Sequence, residues 1–147
     1  MRSDERVPGG APRQRSATRA LGTTYLTLAL LLAPGCAFNV YEIDKWETEL
    51  RAASTPLSDW VLRSQTKIPV GPGYSRQLGA GSRWTHVGQV REGQVFRTKD
   101  QVLTIEASNV YEAYLVMDGD DIVGFYLPAV RSFSPISKRI TLNRTEV

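Results

Sequence analysis

The sequence predicts a mainly β protein with one N-terminal helix, an α+β class. From Trp84 onward apolar and polar residues alternate with a period of two, which is typical of half-buried strands. Residues that favour turns separate these runs at spacings of about 8–12 residues. Before them, one short segment shows the apolar spacing of a helix. The chain of 147 residues suits a signal segment and one folded region.

A helix is predicted over residues 43–53. The dipeptide Thr55-Pro56 would end it, because the residue before a proline is pushed out of the helical region. A second short helical turn is predicted over residues 60–62, after a possible Ser58-Asp59 cap. The apolar residues of the helix recur at spacings of three, four and three, which would place them on one face: Ile43, Trp46, Leu50 and Ala53.

The stretch from Ile68 to Ser82 is predicted to be a loop, because it contains six glycines and prolines. A phosphate-binding loop would be followed by Gly-Lys-Ser or Gly-Lys-Thr within a strand–loop–helix frame, and the sequence has neither. We therefore interpret residues 36–82 as a helical arm with a Gly/Pro-rich linker, and residues 83–147 as a small β domain.

Six short antiparallel strands are predicted in the C-terminal part, with a loop at 129–137 before the last. Turn chemistry separates them, as in Lys99-Asp100 and Asp118-Gly119. Strands this short and regularly spaced favour a compact barrel or a strongly bent sheet of five or six strands, with an SH3-like barrel as the first choice. The second choice is a flatter meander covered by the N-terminal helix. The predicted strands are 84–90, 94–98, 101–107, 109–117, 121–127 and 138–142.

An apolar segment, residues 21–33, follows a basic leader. As a helix its 13 residues would be about 20 Å long, whereas a bilayer core is about 30 Å thick. Pro34 and Gly35 would end such a helix. Five arginines and two acidic residues precede the segment, which gives it the positive flank of an export signal.

Cys36 follows the apolar segment and is the only cysteine, so an intrachain disulfide is excluded. The string Leu-Ala-Pro-Gly-Cys at residues 32–36 resembles the lipobox of bacterial lipoproteins. The resemblance implies that residues 1–35 are a signal peptide, that Cys36 carries the lipid, and that the mature chain faces the periplasm. Ala37 after the cysteine implies the outer membrane. The alternatives are an ordinary signal peptide with an incidental cysteine, and a cytosolic protein with an apolar N-terminal helix.

The charge balance argues against nucleic-acid binding. The whole chain carries 18 basic and 15 acidic residues, but the positive excess lies in the leader. From Cys36 onward 13 of each sign remain, so the mature part is neutral. A neutral domain lacks the basic surface that a phosphate backbone requires.

Residues suited to catalysis or metal binding are few. His86 is the only histidine, and a structural zinc site takes four ligands. The acidic segment Asp118–Asp121 reads as a hairpin turn, without the terminal Glu of a calcium loop. Glu106 and Glu112 lie on strands predicted to be neighbours, as a carboxylate pair for glycoside hydrolysis would require. We predict neither a cofactor nor a metal.

An aromatic patch is the candidate binding site. Gly124 within a predicted strand indicates a bulge or a close approach of another backbone. Tyr126 would stand outward beside Tyr114 and Trp84, and aromatic residues on an outer face bind sugar rings, peptides or protein partners. The alternative is that the N-terminal helix covers them.

These observations favour a lipid-anchored, non-catalytic binding or assembly component of the cell envelope, with a protein or a cell-wall polymer as partner. One alternative is a periplasmic inhibitor or immunity protein that blocks an enzyme with a loop such as residues 132–137. The other is a small envelope hydrolase, which predicts a deep cleft at His86, Glu106 or Glu112.

Overall fold

The computed structural model describes residues 9–10 and 42–147. Apart from residues 9–10, the predicted signal peptide lies outside the described residues, and so does Cys36. Asn39–Val147 form one compact unit, and its described part is mainly β, which confirms the predicted β content. Within the described ranges no helix is long and apolar enough to cross a membrane.

The described part contains twelve strands and one short 3-10 turn, Pro128–Val130. All strand pairs are antiparallel, and eight strands form one sheet in the order β1-β11-β10-β9-β6-β5-β2-β12. The other four form two hairpins, β3-β4 and β7-β8. In chain order the strands are β1 (Trp46–Glu47), β2 (Trp60–Leu62), β3 (Thr66–Gly71), β4 (Tyr74–Leu78), β5 (Arg83–Val90), β6 (Gly93–Thr98), β7 (Thr104–Glu106), β8 (Val110–Glu112), β9 (Tyr114–Asp118), β10 (Asp121–Leu127), β11 (Ser132–Thr141) and β12 (Arg144–Glu146).

The predicted helix over 43–53 is wrong, because these residues are extended. Trp46 pairs with Phe133 of β11, and Arg51 forms a bridge with Gln89 through backbone hydrogen bonds of 2.8 and 2.9 Å. An isolated helix of this length is marginal in water, and here two sheet edges satisfy the backbone instead. The apolar residues do not share a face, since Ile43 is buried in the main core and Trp46 is 41% exposed.

The predicted helical turn over 60–62 and the predicted loop over 68–82 are also wrong. Residues 60–62 form β2, and most of the Gly/Pro-rich stretch belongs to the β3-β4 hairpin. The prolines and glycines occupy positions where a hairpin tolerates them: a register shift between Pro69 and Gly71, and a turn at Gly73, where φ is +73°.

The strands predicted from residue 84 onward are largely confirmed, with two differences. The segment 109–117 is divided into β8 and β9, and the predicted loop at 129–137 contains the start of β11. Gly124 forms the predicted irregularity, because the register of β10 shifts between Ile122 and Gly124. The predicted close approach is confirmed as well: a Cβ at Gly124 would lie 2.4 Å from the backbone oxygen of Ser134.

The sheet does not close into the predicted SH3-like barrel, but it is strongly bent. Glu47 pairs with the outer edge of β11 and Arg51 with the outer edge of β5. In a flat sheet these edges would lie about 29 Å apart, at about 4.8 Å per strand. Four residues of chain reach at most about 14 Å, so the sheet must curl to bring its edges together.

Each face of the bent sheet packs against an apolar cluster. The larger cluster contains Trp60, Trp84 and Phe96 and includes apolar residues of both hairpins, such as Ile68 and Ile105. The smaller cluster lies on the other face and consists of Val90, Val95, Val116, Tyr126 and Phe133, with Leu50 packed against it. The segment 46–51, which we call the clasp, therefore covers part of the second face.

Candidate functional site

The structure separates Trp84 from the two tyrosines of the predicted aromatic patch. Trp84 is fully buried and stacks on Trp60, with 5.3 Å between ring centroids. Its indole N–H donates to Ser82 Oγ at 3.0 Å. Because Trp84 lies in the larger cluster and Tyr126 in the smaller one, Trp84 is a core residue and contributes no surface for binding.

Tyr114 and Tyr126 do lie together. They stand opposite each other on β9 and β10, with ring centroids 6.3 Å apart. Tyr114 is half-buried, whereas Tyr126 is only 4% exposed. The extended clasp, rather than a helix, lies beside Tyr126. Each tyrosine lines a cavity, and we call these the Tyr114 cavity and the Tyr126 cavity.

The Tyr114 cavity has a volume of about 520 Å³. Two of its charged residues are neutralised, since Lys99 pairs with Asp59 and Asp100 with Arg83. Two others, Arg97 and Glu112, form no ion pair or side-chain hydrogen bond with any residue that the structure describes. The lining residues are Thr85, Arg97, Thr98, Lys99, Asp100, Gln101, Val102, Leu103, Glu112, Ala113 and Tyr114.

The Tyr126 cavity has a volume of about 680 Å³. Glu49 is neutralised by Arg51, whose Nε and Nη2 both lie 3.1 Å from Glu49 Oε2. Arg131 and Glu47 form no side-chain ion pair or hydrogen bond within the described part of the chain. Each cavity thus combines one tyrosine with one unpaired guanidinium and one unpaired carboxylate. The lining residues are Glu47, Thr48, Glu49, Leu50, Tyr126 and Arg131.

Arg131 has an unusual backbone. Its φ is +48°, in the left-handed region, and it is the only non-glycine residue among those described with a positive φ. It ends the 3-10 turn that begins at Pro128, and its carbonyl oxygen accepts a hydrogen bond from Thr48 N at 2.9 Å. Such a conformation costs about 1–3 kcal/mol, so the contacts around it hold the Arg131 backbone against its local preference.

Electrostatics link Arg131 to Tyr126. Burial raises the pKa of the Tyr126 phenol, and its neighbour Tyr114 adds to this effect. The positive charge of Arg131 acts in the opposite direction but does not outweigh burial. The phenol therefore stays protonated at neutral pH and can donate a hydrogen bond into the cavity.

The clasp is held at its start by a carboxylate. Trp46 Nε1 donates to Glu92 Oε1 at 2.8 Å, and Thr48 Oγ1 donates to Glu92 Oε2 at 3.1 Å. Burial by itself raises the pKa of Glu92, but these hydrogen bonds, with those from its own backbone and Arg91, outweigh it and lower the pKa below its ordinary value. Glu92 therefore carries its charge at neutral pH and fixes one wall of the Tyr126 cavity.

The residues considered for catalysis do not meet. His86 Nδ1 accepts a hydrogen bond from Leu57 N at 3.1 Å, and its Nε2 lies 2.8 Å from Gln94 Oε1. Glu106 is exposed and lies 3.9 Å from Arg76. Glu106 and Glu112 do lie on paired strands, β7 and β8, as predicted, but not opposite each other.

The acidic turn after β9 is engaged in hydrogen bonds along the sheet. Asp118 bonds to Arg139, Asp120 to Arg144, and Asp121 to Thr141. No cluster of three or more His, Cys, Asp or Glu side chains suited to a metal ion occurs in the part of the chain that the structure describes.

Sequence reasoning missed the charged residues of the site. Arg97, Arg131 and Glu47 carry no motif, and whether a charge is paired depends on the strand register. Comparisons with protein-family models, with curated proteins and with solved structures found no match for this chain.

Proposed function

We propose that this chain is a lipid-anchored protein of the cell envelope, whose β domain is a non-catalytic binding component. One observation carries the binding role: two cavities flank the Tyr114–Tyr126 pair, and each holds an arginine and a glutamate without ionic partners. The other charged lining residues, Lys99, Asp100 and Glu49, form ion pairs within the domain.

The charges favour an extended partner with several polar groups. An exposed ion pair contributes only about 0–1 kcal/mol, so one contact would not hold a ligand. A chain that reaches both cavities would engage two guanidinium groups, two carboxylates and the half-buried ring of Tyr114. A peptide segment or a cell-wall polymer that contains peptide has this character.

The anchor would keep this site close to the membrane. If Cys36 carries the lipid, as the lipobox resemblance implies, Glu47 at the Tyr126 cavity lies eleven positions further along the chain. An extended chain of that length spans at most about 40 Å. The partner would therefore be met near the periplasmic face, at the outer membrane if Ala37 directs sorting.

The two alternative functions have less support. The segment 132–137, suggested as an inhibitory loop, begins β11, and Ser132, Phe133 and Ser134 are buried. For a hydrolase, both ring nitrogens of His86 are engaged by structural partners. One arginine and one glutamate at each cavity have no ionic partner among the described residues, which suits recognition.

The anchor is tested by expressing the full chain and its Cys36→Ser variant in bacteria. We expect the unaltered chain to incorporate a labelled fatty acid and to sediment with membranes, and the variant to do neither. A Cys36→Ser variant that stays in the membrane pellet after leader removal, or a mature chain that begins elsewhere with a free thiol, contradicts the lipid anchor.

The binding role is tested by photo-crosslinking in cells. A photoreactive residue replaces Val102 or Glu49, one in each cavity lining, and Lys138 on the exposed part of β11 serves as the matched control. We expect the first two positions to crosslink the same cell-wall peptide or protein and the control position to crosslink neither. Equal yields at all three positions, or no product at the two cavities, would refute a binding site there.

A further inference from the structure

The hydroxyl of Tyr126 is the most specific polar group at the two cavities. The residue is 96% buried by its 4% exposure, yet its hydroxyl forms no hydrogen bond with any described residue. The one buried side-chain polar atom without a partner in the described part is Trp60 Nε1. The Tyr126 hydroxyl therefore retains some solvent exposure, and Tyr126 lines the Tyr126 cavity.

Arg131 gives this cavity a second donor. Both sides of its peptide unit are fixed, because Arg131 N donates to Pro128 O at 3.4 Å and its carbonyl accepts from Thr48 N. Its guanidinium has no ionic partner among the residues described. A planar guanidinium and a phenolic O–H in one cavity are suited to bind a carboxylate, since both donate and neither carries negative charge.

Glu47 adds the opposite charge. It lies on the clasp, next to the part of β11 that follows Arg131, and it lines the same cavity. Since Arg51 neutralises Glu49, Glu47 and Arg131 are the net charges of the lining. A purely anionic ligand would meet the uncompensated Glu47, and a purely cationic ligand would meet the uncompensated Arg131.

We propose that the Tyr126 cavity binds an α-amino-acid group that carries both a free carboxylate and a free ammonium. The carboxylate accepts hydrogen bonds from Arg131 and the Tyr126 hydroxyl, and the ammonium donates to Glu47. The volume of about 680 Å³ lies in the range of about 300–1,000 Å³ usual for small-molecule sites. This inference rests on the proposed binding function and names the chemistry of one of its two cavities.

The test uses the full chain in detergent and three small probes of similar size. Alanine carries both charges, alaninamide lacks the carboxylate, and propionate lacks the ammonium. Each is titrated while amide signals of Thr48, Leu50, Tyr126 and Arg131 are followed by NMR. We expect alanine to bind in the millimolar range and the other two probes at least tenfold more weakly.

Three variants assign the effect to the cavity. Tyr126→Phe removes only the hydroxyl, and Arg131→Asn removes the guanidinium while keeping a residue that tolerates positive φ. Each should weaken alanine binding about tenfold, whereas Lys138→Asn, at an exposed position of β11 outside both cavities, should leave it unchanged. The dispersion of the amide signals reports whether each variant is folded.

Three outcomes overturn the inference: no shift with alanine, equal binding of the three probes, or equal weakening by Lys138→Asn. The crosslinking experiment separates this failure from failure of the proposed function. Crosslinks at positions 102 and 49 without alanine binding would remove the amino-acid ligand and keep the binding role, whereas loss of both results would remove the site altogether.

Discussion

The indole N–H of Trp46 donates to the carboxylate of Glu92 at 2.8 Å, across 46 positions of sequence. Trp46 also packs against Phe133, with ring centroids 5.1 Å apart. These contacts join the clasp to the β5-β6 turn and to β11 at the same point. The clasp, a six-residue segment, therefore contacts both edges of the bent sheet, and it also forms a wall of the Tyr126 cavity.

Glu92→Gln is expected to destabilise the protein by about 1 kcal/mol at pH 7. The amide retains one acceptor oxygen for Trp46 or Thr48 but loses the charge that strengthens both hydrogen bonds. Urea denaturation followed by circular dichroism measures the change in the free energy of unfolding. Glu146→Gln, at an exposed carboxylate on β12, is the control and should have little effect.

The cost of Glu92→Gln should depend on pH. Since hydrogen bonding lowers the pKa of Glu92 in the folded protein, the unfolded chain takes up a proton first as the pH falls. The stabilisation is complete above about pH 5 and is lost as the pH falls below about 4. The difference between wild type and variant should therefore shrink in acid, and a difference that stays constant down to pH 3 contradicts this account.

Gly124→Ala should destabilise the protein by about 2 kcal/mol, because overpacking forces backbone to move. The new Cβ would lie 2.4 Å from Ser134 O and 2.5 Å from Phe133 Cζ. Gly79→Ala is the matched control, since a Cβ there meets no atom within 4 Å. Thermal or urea unfolding compares the two, and equal stabilities would mean that β11 yields freely at the bulge.

The bend at Gly124 shows what the sequence can predict. A glycine inside an alternating apolar run has few explanations, and a bulge with a close backbone approach is the main one. The helix predicted over 43–53 was wrong because four apolar residues at helical spacing are weak support for a helix. The segment pairs instead with β11 and β5, which are distant in sequence, and no local pattern indicates that pairing. In the segment 68–82 the many prolines and glycines predicted a loop, although Ile68 and Val70 alternate with less buried residues as in a strand.

The site was less predictable than the fold. The Tyr114–Tyr126 pair follows from strand alternation and neighbouring hairpin strands. Trp84 was misplaced because its face relative to Tyr114 and Tyr126 is set by the register in which β6 pairs with β9, with Phe96 opposite Leu115, and no sequence pattern gives that register. No sequence pattern marks Arg131, whose left-handed backbone is imposed by the 3-10 turn and by Thr48.

The two stacked tryptophans should differ in the cost of losing their indole nitrogen. Trp84 Nε1 donates to Ser82, whereas Trp60 Nε1 is buried without a partner among the described residues. Leaving a donor unpaired in a core costs about 1–3 kcal/mol. Trp60→Phe loses stability because the smaller ring buries less area, but it regains part of that free energy because the unpaired N–H is removed. Trp84→Phe should therefore be less stable than Trp60→Phe by about 1–2 kcal/mol in urea denaturation. The reverse order would mean that Trp60 Nε1 has a partner in solution.

Gly88→Ala should release the far end of the clasp. The backbone at Gly88 has φ of +148°, and a Cβ there would lie 2.4 Å from Arg51 O. The bridge between Arg51 and Gln89 would have to open, so amide hydrogen exchange at these two residues should accelerate at least tenfold. Exchange in the β9-β10 ladder should change much less, because those strands remain paired on both sides.

The same variant connects the clasp to the ligand. Glu47 and Leu50 line the Tyr126 cavity, and the bridge between Arg51 and Gln89 fixes the chain next to Leu50. We therefore expect Gly88→Ala also to weaken alanine binding. Glu92→Gln removes charge from the contacts at the opposite end of the clasp, so it should accelerate amide hydrogen exchange more at Thr48 than at Arg51. If Gly88→Ala accelerates hydrogen exchange equally at all amides, the clasp does not open independently of the sheet. Any loss of alanine binding would then reflect unfolding of the whole sheet.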